Sequence, residues 1–336
     1  MHIPDFAHQH TAHCESGVVS TLLRHYGIDW DEAMVFGLSA ALSFAYIPVV
    51  KMAGQPLIAY RMPPKTIIRR SCRQLGVRLH MRRFSDEAAG MAALDAALAQ
   101  GQPVGLQTSV FWLPYFPSAM RFHFNAHNLL VYGKEGDEYL ISDPVFETVQ
   151  RCPAEDLRRA RFAKGALAAK GLMYTLDTAS LPAPGSVDLR PLVRRALQQT
   201  ARQMAAPLPF IGVKGIRLVA KRLAALEGAA PEQQALLLGH MVRMQEEIGT
   251  GGAGFRFIYA YFLEQAGTAL QHEGLQQAAQ TLTAIGDEWR LFASRCVRQC
   301  RKPQPGGCRE IGAVLRGIAD QEAALWRQLG QLAKTL

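Results

Sequence analysis

Residues 127–144 read HNLLVYGKEGDEYLISDP. Two apolar runs, His127–Tyr132 and Glu138–Ser142, flank the turn-like segment Gly133 to Asp137, the pattern of a β-hairpin. A histidine opens the first strand, and Asp143 follows the second. In antiparallel strands the start of one lies beside the end of the other, so the Asp143 carboxylate can reach the His127 imidazole. A carboxylate in that position fixes the tautomer of an imidazole and stabilises its protonated form. That is the orienting role in a nucleophile–base–acid triad, and it asks for a nucleophile elsewhere in the chain.

The candidate nucleophile is Cys14, in His13-Cys14-Glu15-Ser16-Gly17 at the start of a predicted helix, Cys14–His25. Val18, Val19, Leu22 and Leu23 supply the helical spacing. A thiol at a helix N-terminus feels the positive end of the macrodipole, which favours thiolate. A cysteine near a helix start is also a common packing residue. The order of Cys14, then His127, then an acid on the next strand is the logic of papain-like sites, although the local sequence is not papain's.

Outward from the site, residues 1–180 mix helices and strands. Pro64–Leu75 and Glu87–Gln100 read as helices, with Pro63 and Pro64 at a start and Gly76 and Gly101 at ends. Arg78–Arg83, Pro103–Val110 and Leu172–Leu176 read as strands. Residues 179–186, ASLPAPGS, have linker composition. Beyond them, Leu192–Met204, Lys214–Glu227, Pro231–Ile248, Phe255–His272, Leu275–Cys300 and Glu310–Leu336 are all helical in pattern, rich in Ala, Leu, Gln and Arg. The expectation is an α+β domain over 1–180 and a helical bundle over 181–336.

The HC pair at an N-terminal helix, AHNLLVYG, ISDP and GTGGAGFRFIYAYFLEQA, in that order, resemble the butirosin biosynthesis protein H family over about residues 5–275. The resemblance implies a papain-like/C39-like cysteine peptidase fold followed by an all-α helical domain. It implies an acyltransferase that takes an acyl group from an acyl carrier protein thioester to a small amine. Carried over by position, Cys14 is the nucleophile, His127 the base and Asp143 the orienting acid. A side chain upstream of the cysteine would help hold the oxyanion; Gln9 is at the spacing of related peptidases, His8 and His10 compete for the role, and His13 is a further support. A thioester is already activated, so no cofactor or metal is expected, and phosphopantetheine arrives on the carrier. The same triad would serve a peptidase, amidase or thioesterase, and the fold could also be a catalytically silent binding module.

Gly249-Thr250-Gly251-Gly252-Ala253-Gly254 leads into a helix, which suits an anion such as the phosphopantetheine phosphate or else a tight interhelical turn. Gly251 and Gly252, with Arg256 and Tyr259 on one helix face, are the candidate substrate-binding residues; core packing is the alternative. The tract 111–124, FWLPYFPSAMRFHF, is either a loop over the site for an acyl chain or a core plug. His8, His10, His13 and Cys14 invite a zinc reading, but their spacing fits no closed zinc module. Cys296, Cys300 and Cys308 form a second cluster that reads as packing.

The chain has 336 residues, 49% hydrophobic and 19% charged, which excludes a disordered or fibrous protein. Six cysteines are too few for a disulfide scaffold. The start MHIPDFAHQH lacks the pattern of a signal peptide, so a reducing cytoplasm is expected. Ala33–Val50 is uncharged but broken by Gly37 and Pro48, which reads as a helix end, a loop and a core strand rather than a stable membrane insertion. Of the net charge of +9, residues 1–180 carry 18 − 16 = +2 and residues 181–336 carry 19 − 12 = +7. No nucleic-acid module is recognisable. Arg194, Arg195, Lys214, Arg217, Lys221 and Arg222 crowd two helices there and suit an acidic carrier; they are expected to border the Cys14 entrance. A homodimer is left open.

Overall fold

A computed structural model describes residues 1–52 and 54–336. The chain divides into two compact units, Met1–Val35 with Ile67–Val187, and Phe36–Thr66 with Asp188–Leu336.

The first unit is built on α1 (Cys14–His25) and the start of α2 (Glu32–Leu38). Its sheet is antiparallel throughout. After β1 (Leu42–Met52) and β2 (Gln55–Arg61), which belong to the other unit, the chain makes α3 (Thr66–Leu75), β3 (Leu79–Arg82), α4 (Glu87–Ala99), β4 (Val104–Thr108), β5 (His127–Glu135), β6 (Glu138–Ser142), β7 (Gln150–Pro153), α5 (Ala154–Phe162) and β8 (Met173–Leu176). The sheet order is β3-β8-β4-β5-β6-β7. β4 is buried along its whole length and β5 over all but its last two residues, so these two strands run through the core rather than along its face. Val18, Val19, Leu22 and Leu23 have no exposed surface, and α1 packs on β5. Each such side chain contributes about 1.5–3 kcal/mol by burial. The hairpin expected over 127–142 is present, with Glu135 paired to Glu138 across Gly136 and Asp137. Gly136 takes a left-handed φ of 58° there, as a two-residue turn requires.

The second unit contains α6 (Leu189–Met204), α7 (Gly212–Ala224), α8 (Pro231–Val242), α9 (Arg256–Ala269), α10 (Glu273–Arg301) and α11 (Gly307–Thr335). Among the described residues the regular elements of 181–336 are all helices, as expected, but the unit departs from a contiguous division at 180/181 in one segment: the β1–β2 hairpin lies in this unit. The reason is local pairing. The Tyr46 amide donates to Phe210 O at 2.9 Å, and the Gln203 carboxamide donates to Ala40 O and Leu42 O at 3.0 and 3.2 Å. Leu42 and Phe44 are buried, whereas Val49 and Val50 at the far end are exposed, so Ala33–Val50 is a helix end followed by a strand only half in the core. Among the described residues no helix is long and apolar enough to cross a membrane.

The core of this unit holds a charged pair. Arg256 and Glu322 are both fully buried; Arg256 donates to both carboxylate oxygens, at 2.9 and 3.2 Å. The indoles of Trp289 and Trp326 donate to the same carboxylate at 2.7 and 3.0 Å. Four hydrogen bonds to one carboxylate are what make a buried ion pair tolerable. Cys296 and Cys308 are buried in the same unit, and burial raises both thiols.

Candidate active site

Cys14 is the first residue of α1, and its surroundings hold that turn rigidly. The Glu32 carboxylate accepts from the amides of Ala12 (2.9 Å) and His13 (2.7 Å) and from the Ser16 hydroxyl (3.1 Å). It serves as an external cap for the turn before the helix. Burial pushes the Glu32 carboxyl up, against the pull of those hydrogen bonds. The His13 ring caps the helix, with Nδ1 2.8 Å from Ser16 Oγ. Gly17 allows close approach: a Cβ there would sit 1.9 Å from Thr11 Oγ1 and 2.7 Å from Pro144 Cβ. So α1 is pressed against the turn that follows Asp143.

The structure brings Cys14, His127 and Asp143 together. His127 Nε2 and Asp143 Oδ2 are 2.7 Å apart, both nearly or fully buried. The Cys14 side chain hydrogen-bonds the same ring. Burial is the largest influence on the imidazole and lowers its pKa. The charge and hydrogen bond of Asp143, with a smaller part from Cys14, outweigh it and lift the group to about 10. Asp143 is itself held. Its Oδ2 accepts from the Tyr115 hydroxyl at 2.9 Å, and its Oδ1 from the Val145 amide at 3.3 Å.

Register explains why Asp143 can do this. From the turn, Glu135 pairs with Glu138, Lys134 with Tyr139 and Gly133 with Leu140. A shift at Tyr132 then pairs Val131 with Ile141 and Leu130 with Ser142. Continued, that register sets Asp143 across from Leu129, on the face that His127 shares. Without the extra residue, Asp143 would fall across from Leu130 and face the other way.

The aromatic tract 111–124 contributes both ways. Phe116 packs edge-to-face on His127 with centroids 5.4 Å apart, and Phe146 packs on Tyr115 and Phe116. Phe111, Met120 and Phe122 are exposed.

Other expected residues lie elsewhere. The Gln9 carboxamide oxygen accepts from Arg24 at 2.8 Å in an exposed pairing. His8 bonds Ser142 Oγ and Phe146 O. In the glycine-rich turn, the Gly252 amide donates to Thr250 Oγ1 and the Ala253 amide to Glu246 Oε1, both at 3.2 Å. The Ala253 amide of this turn therefore holds the chain's own carboxylate, and the Gly252 amide is taken by Thr250. Arg256 and Tyr259 have no exposed surface, and Arg256 is committed to Glu322, so the substrate-binding expectation for both gives way to core packing. Gly254 explains part of the motif: a Cβ on it would come 2.2 Å from the Tyr60 ring. Among the described residues no three His, Cys, Asp or Glu side chains converge as metal ligands.

Sequence reasoning missed Glu32, Tyr115 and Asn128. Asn128 Nδ2 is 4.0 Å from Cys14 Sγ and 3.2 Å from Ala126 O, and its Oδ1 accepts from the Tyr174 hydroxyl at 3.2 Å. Its place next to His127 was the only signal in the sequence.

Residues 13–144 match the family model described as butirosin biosynthesis protein H, N-terminal, and residues 155–329 match a domain of unknown function, DUF4872. Among solved structures, a chain described as a C39-like peptidase from Bacillus anthracis is similar at 12% identity, covering 52% of this chain and 96% of that one, with a TM-score of 0.38. That likeness is too low to bear on the site. No curated protein matches significantly. The chain belongs to the family in which a butirosin biosynthesis protein H N-terminal domain is followed by a DUF4872 domain.

Proposed function

We propose that this chain is an acyltransferase that moves an acyl group from an acyl carrier protein thioester to a small amine through an acyl-enzyme on Cys14. The observation that carries the reading is the buried Cys14–His127–Asp143 contact, in a chain whose N-terminal part matches a biosynthetic family. In this reading His127 holds the proton of Cys14, and the sulfur attacks as thiolate. The C–S bond forms as the carbonyl π pair moves to oxygen. Collapse expels the phosphopantetheine thiolate, and His127 protonates it. The amine then attacks the acyl-enzyme, His127 takes its proton, and the Cys14 thiolate leaves. Asp143 keeps the ring oriented through both halves.

The acidic carrier is proposed to dock on Arg194, Arg195, Lys214, Arg217, Lys221 and Arg222, all exposed on α6 and α7.

The test is intact mass after mixing enzyme with an acyl carrier thioester. An acyl adduct on Cys14, released as an amide when amine is added, is the expected result. Release as free acid at the same rate with and without amine makes the chain a hydrolase. No adduct and no selective alkylation of Cys14 leaves a binding module. Burial pushes the Cys72 and Cys152 thiols up to about 12, so iodoacetamide should label Cys14 first near neutral pH.

A further inference from the structure

We propose that the Asn128 carboxamide is the side-chain donor to the oxyanion formed on Cys14, and that the Tyr174 hydroxyl holds it in the donating orientation. The proposal rests on the acyl-enzyme reading above. An amide side chain carries two N–H donors on one atom and an acceptor on the other. In Asn128 the acceptor end is taken, because Tyr174 donates to Oδ1 at 3.2 Å. The amino end is thereby turned toward the thiol. One of its N–H groups goes to Ala126 O at 3.2 Å, and the other faces Cys14 Sγ at 4.0 Å.

That separation is long for a contact with the thiol itself. It suits a donor on the far side of an atom bonded next to the sulfur. In the tetrahedral adduct the oxyanion lies one C–S and one C–O bond from Sγ, and a donor belongs about 2.7–3.1 Å beyond it. A hydrogen-bond donor 4.0 Å from Sγ closes that triangle without moving. Asn128 is 4% exposed, so water competes little for its N–H. Tyr174 is 2% exposed, and burial keeps its phenol protonated well above the usual value, so it stays a donor across the working pH range. Gly105 makes room for it: a Cβ there would meet the Tyr174 ring at 2.0 Å. In this scheme Asn128 donates to the oxyanion and is a catalytic residue; Tyr174 is a positioning residue.

The test compares two reactions of Cys14 in the full chain. Acetyl and octanoyl N-acetylcysteamine thioesters build an oxyanion during loading. Iodoacetamide is displaced at a saturated carbon and builds none. Asn128→Ala should slow loading by about 10²–10³-fold while alkylation changes by less than about threefold. Tyr174→Phe should slow loading by about tenfold, the loss of one orienting hydrogen bond, again without slowing alkylation. If Asn128→Ala does not fold, the Tyr174→Phe ratio decides, and its near-normal alkylation reports an intact site. Unchanged loading in the variants, or loading and alkylation falling by one common factor, overturns the oxyanion role. A wild-type chain that alkylates at Cys14 but loads no acyl group overturns the acyl-enzyme reading itself.

Discussion

His127 keeps its proton because Asp143 lies 2.7 Å from it in a buried setting. The sign of the consequence follows from the pKa, lifted from 6.5 to about 10. A raised imidazole stabilises the fold fully below its unfolded value and loses that contribution as pH rises through about 10. Two outcomes are expected. The alkaline limb of acyl loading should fall near pH 10 in the wild type. In Asp143→Asn that limb should move to lower pH, because burial alone lowers an imidazole. The melting temperature should drop between pH 7 and 10.5 in the wild type and drop less in the variant. Identical limbs in the two proteins would remove Asp143 as the cause. His127→Ala should cost several orders of magnitude in loading rate, and Asp143→Asn less.

Among the elements, α1 and the β5–β6 hairpin have to meet within fractions of an ångström. Gly17 is where they meet, against Thr11 and Pro144. Gly17→Ala gains helix propensity but places a methyl into the Pro144 ring, which is not a flexible chain end. Overpacking of this kind costs about 1–3 kcal/mol. Denaturant melts should show that loss, and iodoacetamide should label Cys14 more slowly, because the helix start is pushed from His127. A variant that is more stable and equally reactive would show that the contact yields easily. In the helical unit, Glu322→Ala should cost about 3–5 kcal/mol, because it leaves the Arg256 guanidinium buried without its partner. Arg256→Met with Glu322→Leu should recover only part of it, because the Trp289 and Trp326 indole N–H groups lose their shared acceptor.

For the molecule as a whole, the relevant property is charge. Residues 181–336 carry 19 − 12 = +7. Arg217 is engaged with Asp320 at 2.7 Å, so its reversal would also disturb that pair. Arg195→Glu with Lys221→Glu is the cleaner change. Loading from an acyl carrier protein should slow several-fold, and added salt should slow the wild type, since rim charges act on encounter over about 8–10 Å. Loading from the N-acetylcysteamine thioester should not change. Equal responses from both donors would remove the docking role from this surface.

The chemistry-bearing residues were legible because each sits at an element boundary with a local signature: Cys14 before an amphipathic run, His127 before an apolar run, Asp143 before Pro144. The helical texture beyond residue 188 was legible for the same reason, since helix propensity and period are properties of neighbours in sequence. The face on which Asp143 falls was not. It depends on one unpaired residue at Tyr132, and strand parity is blind to a bulge until the partner strand is in place. Nor could the sequence tell that the glycine-rich turn encloses Glu246, that Arg256 answers Glu322 across 66 residues, or that the 42–61 hairpin belongs with the helices. Propensity and periodicity determine the elements, because they act within one turn or one pleat. Which groups satisfy each other's buried charges and hydrogen bonds is decided only when distant elements pack, because that choice depends on geometry between segments with no sequence relation.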